Sequence, residues 1–218
     1  MKNNYSLNGL YPITPTAFQS DLEYIDNIEE VIKSGIKIFQ FRTKYMSFKR
    51  KKYLVHKIRN ICEKFAVKLI INDDYQILKY FEGCGLHIGK TDINLKRVRK
   101  IYGEDIIIGK SCYDSLNLAR WSEKNGASYV SFGSMYETKS KNNTIICDHQ
   151  LLSKAKKSLN IPICVIGGIT KHNIKNILHF KPDMISMISG IFDSKKIKEE
   201  VSQIHAIIKN HEEIKKNI

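Results

Sequence analysis

Eight short β-branched runs alternate with eight longer segments of helical periodicity, and this alternation restricts the folds open to the chain. A strand followed by a helix, repeated many times, is typical of a parallel sheet with helical crossovers. We predict strands at 9–14, 36–42, 67–72, 84–88, 105–110, 127–133, 162–166 and 184–188. We predict helices at 22–34, 47–65, 75–81, 95–102, 114–125, 148–158, 171–179 and 194–214. Eight such units in 218 residues predict an α/β fold, a (β/α)8 TIM barrel.

The chain lacks a Ser- or Pro-rich linker, so we expect residues 1–218 to form a single TIM-barrel domain. The segment from Lys195 to Ile218 is strongly charged, but it keeps apolar residues at helical spacing. These are Ile197, Val201, Ile204, Ile207 and Ile208. A final helix that covers the barrel is therefore predicted.

The net charge of +14 raises the question of a nucleic-acid partner. The lysines are spread along most of the chain, without the interleaved aromatic and basic residues of a single-strand binder. We favour a solvated, lysine-rich surface that also benefits polyanionic substrates. We expect no nucleic-acid partner and no membrane partner, while a homo-oligomer stays open.

The cysteines and the N-terminus predict the cellular location. Five scattered cysteines without a Cys-x-x-Cys pair indicate neither a zinc site nor a disulfide framework. We find no signal segment at the N-terminus and no apolar run of membrane-spanning length. The expected location is cytoplasmic.

Polar and charged residues follow the apolar runs at the point where each predicted strand ends. In a parallel barrel these ends meet at one mouth. Gln40, Arg42 and Lys44 alternate along an extended segment, so their side chains face the same way. A planar guanidinium fork and a mobile ammonium suit a diphosphate. A charged strand end without a ligand is the alternative.

Carboxylates follow the next two strands. Asn72 and Asp73 come after the third strand, and Asp92 comes after the fourth. Mg²⁺ is usually held by one or two carboxylates together with phosphate oxygens and waters. A lone Asp after a strand is more often a helix cap, so the pair carries the prediction of a magnesium site.

The remaining strand ends carry hydroxyls, glycines and one lysine. Ser111, Thr138, Ser140 and Lys141 are candidate phosphate ligands in loops, although a flexible polar loop would look the same. Gly167-Gly168 and Ser189-Gly190 follow strands seven and eight, where many barrels bind phosphate. His87 lies between Leu86 and Ile88, and we interpret it as a packed histidine rather than a catalyst.

Several of these segments, in this order and spacing, resemble the thiamine-phosphate synthase family over nearly the whole chain. The matching segments are Gly9-Leu10-Tyr11-Pro12-Ile13-Thr14, Gln-x-Arg-x-Lys at 40–44, Asn72-Asp73-Asp74, Gly85-Leu86-His87-Ile88-Gly89 with Asp92, Gly109-Lys110-Ser111, Tyr129 to Lys141, Ile166-Gly167-Gly168-Ile169-Thr170 and Ser186-Met187-Ile188-Ser189.

The resemblance implies an enzyme that joins a hydroxymethylpyrimidine diphosphate to a thiazole phosphate, or to its carboxylated form, and releases diphosphate. It implies the catalytic residues Arg42, Lys44, Ser111 and Lys141. It implies Mg²⁺ as the cofactor, held by Asp73 and Asp92. The implied substrate-binding residues are Gln40, Phe41, Arg42, Thr43, Lys44, Asn72, Ser111, Thr138, Lys139, Ser140, Lys141, Gly168, Ile188 and Ser189.

These residue types suit a dissociative substitution in which the diphosphate leaves first, because positioning and charge stabilisation can then supply the catalysis. Two other functions remain open. A thiazole tautomerase-like relative would share the barrel, but would not need the full diphosphate and metal set. Tyr113 also stands where a His is common after the Ser. A basic barrel that binds phosphate or nucleic acid without catalysis is the other alternative.

Overall fold

The computed structural model describes residues 6–16, 18–89, 92–138 and 145–216, without the side chains of residues 212 and 214–216. Its strands are β1 (Gly9–Pro12), β2 (Ile38–Phe41), β3 (Lys68–Asn72), β4 (Gly85–Ile88), β5 (Ile108–Tyr113), β6 (Tyr129–Phe132), β7 (Ile163–Ile166) and β8 (Met184–Met187). Its helices are α1 (Asp21–Lys33), α2 (Phe48–Lys64), α3 (Leu95–Tyr102), α4 (Leu116–Lys124), α5 (Gln150–Ser158), α6 (Ile174–Leu178), α7 (Ser189–Phe192) and α8 (Ile197–Lys216). A 3-10 helix at Tyr75–Tyr80 follows β3.

The eight strands form one parallel sheet in the order β1-β8-β7-β6-β5-β4-β3-β2. An isolated parallel bridge between Ile13 and Gln40 joins the two end strands. The Thr14 amide also donates to the Gln40 carbonyl at 3.0 Å. The sheet therefore closes nearly completely, and the fold is the (β/α)8 TIM barrel that the alternating pattern predicted.

Side chains of the sheet pack in two layers. The larger apolar cluster lies between the strands and the helices and contains Phe39, Phe41, Leu86 and Val130. A smaller cluster fills the barrel interior: Tyr11, Ile38, Ile70, Ile107, Tyr129, Cys164 and Met184. A Cβ at Gly109 would overlap the Tyr129 ring. That glycine thus makes room for one of the two tyrosines of the interior.

Most predicted elements lie within two residues of the observed ones, but β5 is displaced. The prediction was 105–110, whereas β5 spans Ile108–Tyr113. The Ser111–Ser131 and Tyr113–Phe132 pairings with β6 carry the strand through a polar segment that resembles a strand end. The short helix α7 was not predicted.

Serine caps begin three of the helices, and the C-terminal segment forms the predicted final helix. Ser20, Ser47 and Ser115 accept hydrogen bonds from backbone amides as N-caps of α1, α2 and α4. The predicted final helix is α8, and its Val201 and Ile204 are fully buried against the barrel. In the described part of the chain, none of the helices is long and apolar enough to cross a membrane.

Candidate active site

The end of β2 is held in place by Thr14, a fully buried residue that follows β1. The Thr14 hydroxyl donates to the Arg42 carbonyl and accepts from the Arg42 amide, both at 2.8 Å. We call this pair of hydrogen bonds the Thr14 clasp. It fixes the position of the Arg42 backbone, and the Arg42 side chain is half-buried.

Strand alternation separates the predicted β2 residues into two groups. Gln40 is directed into the barrel interior, where its amide nitrogen donates to the Tyr11 hydroxyl at 2.7 Å. Phe41 belongs to the outer apolar cluster, so its side chain is turned away from the interior. Thr43 is half-buried and Lys44 is exposed. Lys44 lines a groove of ≈ 350 Å³ together with Thr16, Phe18, Tyr45, Met46, Ser47 and Arg50.

The two predicted metal ligands lie together. The Asp73 carboxyl lies close to the Asp92 carboxyl and to the Asn72 side chain. Desolvation and the neighbouring Asp92 raise the pKa of Asp73, and the nearby Arg42 charge opposes this shift. Asp73 is exposed over much of its surface, so we attribute the raised pKa chiefly to the second carboxylate. A cation between the two would relieve their repulsion.

Gly89 and Lys110 support this acidic pair. The Gly89 amide donates to Asp92 Oδ2, and a Cβ at Gly89 would lie 2.8 Å from that oxygen. Lys110 is buried and donates to the Gly89 carbonyl. Desolvation lowers the pKa of Lys110, whereas the charges of Asp92 and Asp73 act to raise it. Gly89 is thus held between the Asp92 carboxylate and the Lys110 side chain.

Ser111 of β5 meets His87 of β4 at the half-buried end of the barrel interior. Ser111 Oγ lies 2.9 Å from His87 Nε2, and His87 Nδ1 lies 2.9 Å from the Tyr129 hydroxyl. His87 is buried, as expected for a packed histidine. Because it contacts Ser111, a predicted catalytic residue, His87 lies next to the candidate active site.

The described residues that directly follow β6, β7 and β8 pack against one another. The Tyr136 amide donates to the Gly167 carbonyl at 3.0 Å. Gly167 and Gly168 have positive φ angles of 105° and 63°, and a Cβ at Gly168 would overlap the Glu137 carbonyl. The half-buried Thr138 directly follows Glu137 in the chain.

Ile188 and Ser189 begin the third of these segments at the start of α7, and both are half-buried. A Cβ at Gly190 would overlap the Ile169 carbonyl, so this segment also packs tightly on the one after β7. The predicted Lys139, Ser140 and Lys141 lie outside the described residues.

The described residues do not contain a group of three or more His, Cys, Asp or Glu that could hold a metal. The donor set near Asp73 and Asp92 is therefore two carboxylates with the Asn72 amide beside them. Such a set fits Mg²⁺, which keeps several waters and takes substrate phosphate oxygens as its other ligands.

The sequence prediction did not include four residues that build this region: Tyr11, Thr14, Lys110 and Tyr129. All four lie in a strand or shortly after one, in segments that resemble the thiamine-phosphate synthase family. For Tyr11 and Tyr129, which belong to the interior cluster, a phenolic residue at an inward strand position is a usable signal.

A family model described as thiamine monophosphate synthase matches residues 10–191. The chain belongs to this family. A thiamine-phosphate synthase of Clostridium acetobutylicum is 34% identical over 202 residues, which are 93% of this chain and 95% of the relative. A thiamine-phosphate synthase of Thioalkalivibrio sulfidiphilus is 31% identical over 202 residues, 92% of this chain and 95% of the relative.

Among solved structures, a thiamine phosphate pyrophosphorylase from Pyrococcus furiosus superposes with a TM-score of 0.85. It covers 96% of this chain and 99% of that one at 24% identity, and it shares the barrel fold. Both of the relatives described above are named thiamine-phosphate synthase. Neither the tautomerase nor the non-catalytic alternative gains support.

Proposed function

We propose that the protein is a thiamine-phosphate synthase. It would couple 4-amino-2-methyl-5-hydroxymethylpyrimidine diphosphate to 4-methyl-5-(2-phosphoethyl)thiazole, or to its carboxylated form, and release diphosphate. The observation that carries the proposal is the Asp73–Asp92 pair next to the Arg42 charge at the barrel mouth. Membership of the synthase family supports the same assignment.

In this proposal different residues of the barrel mouth bind the diphosphate, the pyrimidine and the thiazole phosphate. Arg42 and Lys44 bind the diphosphate and neutralise the charge that develops as it departs. Asn72 and Ser111 orient the pyrimidine diphosphate, and the sequence adds Lys141 to its ligands. Thr138, Gly168, Ile188 and Ser189 hold the thiazole phosphate, so that its ring nitrogen faces the reacting carbon. A protein nucleophile is not required.

Asp73 and Asp92 would hold Mg²⁺, and the raised pKa of Asp73 fits a pair of carboxylates arranged for a cation. When bound, Mg²⁺ supplies positive charge that stabilises the departing diphosphate. The two carboxylates fix its position relative to Arg42.

Turnover of the two precursors tests the proposal directly. Purified protein with both substrates and Mg²⁺ should produce thiamine monophosphate and diphosphate in equal amounts, as measured by chromatography. Excess chelator should stop the reaction. Absence of thiamine monophosphate from folded protein would reject the synthase function, and full activity in chelator would reject the metal.

The metal ligands can be tested one by one. Asp73→Asn and Asp92→Asn should each lower the rate about 100-fold, roughly 2.7 kcal/mol of transition-state stabilisation, and raise the Mg²⁺ concentration needed for half-maximal rate. Asp74→Asn is the matched control, because Asp74 pairs instead with Lys51 at 3.0 Å. If either site variant keeps the wild-type Mg²⁺ dependence, that carboxylate is not a ligand.

The cellular setting is part of the proposal. All five cysteines are free and buried, which fits a reducing compartment, and we place the enzyme in the cytoplasm. A homo-oligomer and the assignment of all 218 residues to one domain stay predictions.

A further inference from the structure

A continuous run of polar side chains, all buried except the half-buried Ser111, crosses the barrel interior from β2 to β5. Gln40 Nε2 lies 2.7 Å from the Tyr11 hydroxyl, which lies 2.8 Å from the Tyr129 hydroxyl. Tyr129 lies 2.9 Å from His87 Nδ1, and His87 Nε2 lies 2.9 Å from Ser111 Oγ. We call these five residues the interior chain. Polar groups buried in an apolar barrel are costly unless they are hydrogen-bonded, so their alignment is significant.

The hydrogen bonds of the interior chain have one direction. Burial raises the pKa of both Tyr11 and Tyr129 far above the usual phenol range, so both keep their protons. Tyr11 accepts from the Gln40 amide, and its other hydrogen-bond partner in the described part of the chain is Tyr129. Tyr11 therefore donates its proton to Tyr129, because a buried hydroxyl without an acceptor would be unfavourable.

The same reasoning gives the direction of the remaining hydrogen bonds of the interior chain, as far as Ser111. Tyr129 accepts from Tyr11, so its own proton goes to His87 Nδ1. A neutral imidazole that accepts at Nδ1 carries its proton on Nε2. That proton is donated to Ser111 Oγ. The Ser111 hydroxyl proton then remains for a further acceptor.

We propose that the interior chain fixes His87 as the Nε2–H tautomer and thereby makes Ser111 a hydrogen-bond donor to an acceptor atom of the bound substrate. Tyr11, Tyr129 and His87 act as positioning residues, since they reach the substrate through Ser111, and Gln40 orients the Tyr11 hydroxyl. The inference deepens the proposed synthase function and rests on it. The substrate atom that faces Ser111 offers a lone pair, such as a ring nitrogen or a phosphate oxygen. A hydroxyl held in the opposite direction would instead select an N–H group.

The tautomer can be measured without any turnover. Long-range ¹H–¹⁵N correlation spectra of ¹⁵N-labelled protein distinguish a ring with the proton on Nε2 from one with the proton on Nδ1. The His87 signals are assigned by their loss in His87→Gln. A single Nε2–H tautomer is expected in the ligand-free protein. An Nδ1–H tautomer, or a mixture of the two, would overturn the proposal.

Tyr129→Phe tests the link between the chain and Ser111. This change keeps the ring that fills the space over Gly109 and removes only the hydroxyl. His87 should then show both tautomers, and kcat should fall about tenfold while the KM for the thiazole phosphate stays unchanged. Unchanged His87 spectra and unchanged kcat would contradict the proposal.

A second substitution separates positioning from general structural damage. In a Ser111→Ala background, adding Tyr129→Phe should cause little further loss of kcat, because the chain acts through Ser111. An undiminished tenfold loss in that background would mean that Tyr129 acts by another route. If the wild-type protein fails to couple the two precursors, the synthase function falls while the tautomer measurement still decides the interior chain.

Discussion

Arg42 takes part in two interactions at the barrel mouth: its backbone belongs to the Thr14 clasp, and its charge acts on the Asp73–Asp92 pair. Both of its backbone polar groups bind Thr14, and its guanidinium charge opposes the raised pKa of Asp73. A fixed backbone with a cation near the metal ligands is the arrangement that directional binding of a diphosphate requires. Geometry as well as charge should therefore matter at this position.

Arg42→Lys keeps the charge and removes the planar fork. We expect the coupling rate to fall 10–100-fold, about 1.4–2.7 kcal/mol, while binding of the thiazole phosphate changes little. Single-turnover kinetics with saturating substrates measure this directly. Arg59→Lys is the control, because Arg59 pairs with Glu63 on the outer surface of α2 and should tolerate the change. An unchanged rate for Arg42→Lys, with chemistry rate-limiting, would transfer the leaving-group role to Lys44, Lys141 and the metal.

At the residue scale, the sequence predicted which strand ends bear polar and charged side chains, but not the contacts among those side chains. The pairing of Asp73 with Asp92 follows from the adjacency of β3 and β4, which an eight-strand alternation already implies. The contact of His87 with Tyr129 spans 42 residues. A long-range contact of this kind depends on the barrel's register and diameter, so local patterns could not reveal it.

At the element scale, the junction of β1 and β2 couples barrel closure to the site. Thr14→Val keeps the shape of the side chain, but leaves the Arg42 amide and carbonyl without their partner. The expected loss of stability is about 1–3 kcal/mol, together with a reduced coupling rate as the β2 end shifts. Urea unfolding and steady-state kinetics measure the two effects. Thr14→Ser keeps the hydroxyl and should preserve activity, and equal behaviour of the two variants would show that the clasp is unimportant.

The opposite end of the barrel depends on Arg99 of α3. Its guanidinium donates to the carbonyls of Gly126 at 2.7 Å, Gly103 at 2.9 Å and Ile106 at 2.8 Å, and to Ser128 Oγ at 3.1 Å. These partners precede β5 and β6, so Arg99 joins the segments that enter two neighbouring strands. The amino end of a barrel is where such residues contribute to stability rather than to chemistry.

Arg99→Met should therefore lower the free energy of unfolding by about 2–4 kcal/mol, because hydrogen bonds to a charged group are among the stronger ones. The coupling rate well below the unfolding midpoint should remain close to wild type. Arg97→Met, on the exposed face of the same helix, should change stability by less than about 0.5 kcal/mol. A stable Arg99→Met, or one with normal stability but lost activity, would contradict this assignment.

Element boundaries show where local patterns are insufficient. The isoleucines at 106–108 led to a strand placed three residues too early, because the Ile106 carbonyl is bound by Arg99 in a loop. The polar segment that follows is strand because its neighbour β6 supplies partners for it. Pairing with a neighbouring strand, rather than the propensity of the segment itself, decides this boundary.

At the scale of the whole molecule, strand alternation and length were enough to predict the barrel, and the net charge of +14 adds a general attraction for anions. That attraction is not specific, since any strongly basic surface gathers phosphates at low salt. Specific binding of diphosphate at the barrel mouth differs from this general attraction, because it requires Mg²⁺ and the carboxylates that hold the metal. Stabilisation of the folded protein by ligands can distinguish the two.

Diphosphate and Mg²⁺ together should raise the thermal midpoint more than the two separate effects combined. At a ligand concentration 100 times the dissociation constant, linkage gives about 2.7 kcal/mol of added stability. For a chain of this size that corresponds to a midpoint rise of roughly 5–10 °C. Differential scanning calorimetry at constant ionic strength keeps the non-specific attraction equal in every sample.

Two variants decide whether that cooperative rise comes from the acidic pair. Asp73→Asn should abolish the extra stabilisation by Mg²⁺ while leaving the smaller effect of diphosphate alone, because Arg42 and Lys44 are intact. Asp74→Asn, which removes the neighbouring carboxylate from its pair with Lys51, should keep the full cooperative rise. Equal midpoints with and without Mg²⁺ in the wild type would mean that diphosphate binds through surface cations alone, and the metal-assisted mechanism would then be wrong.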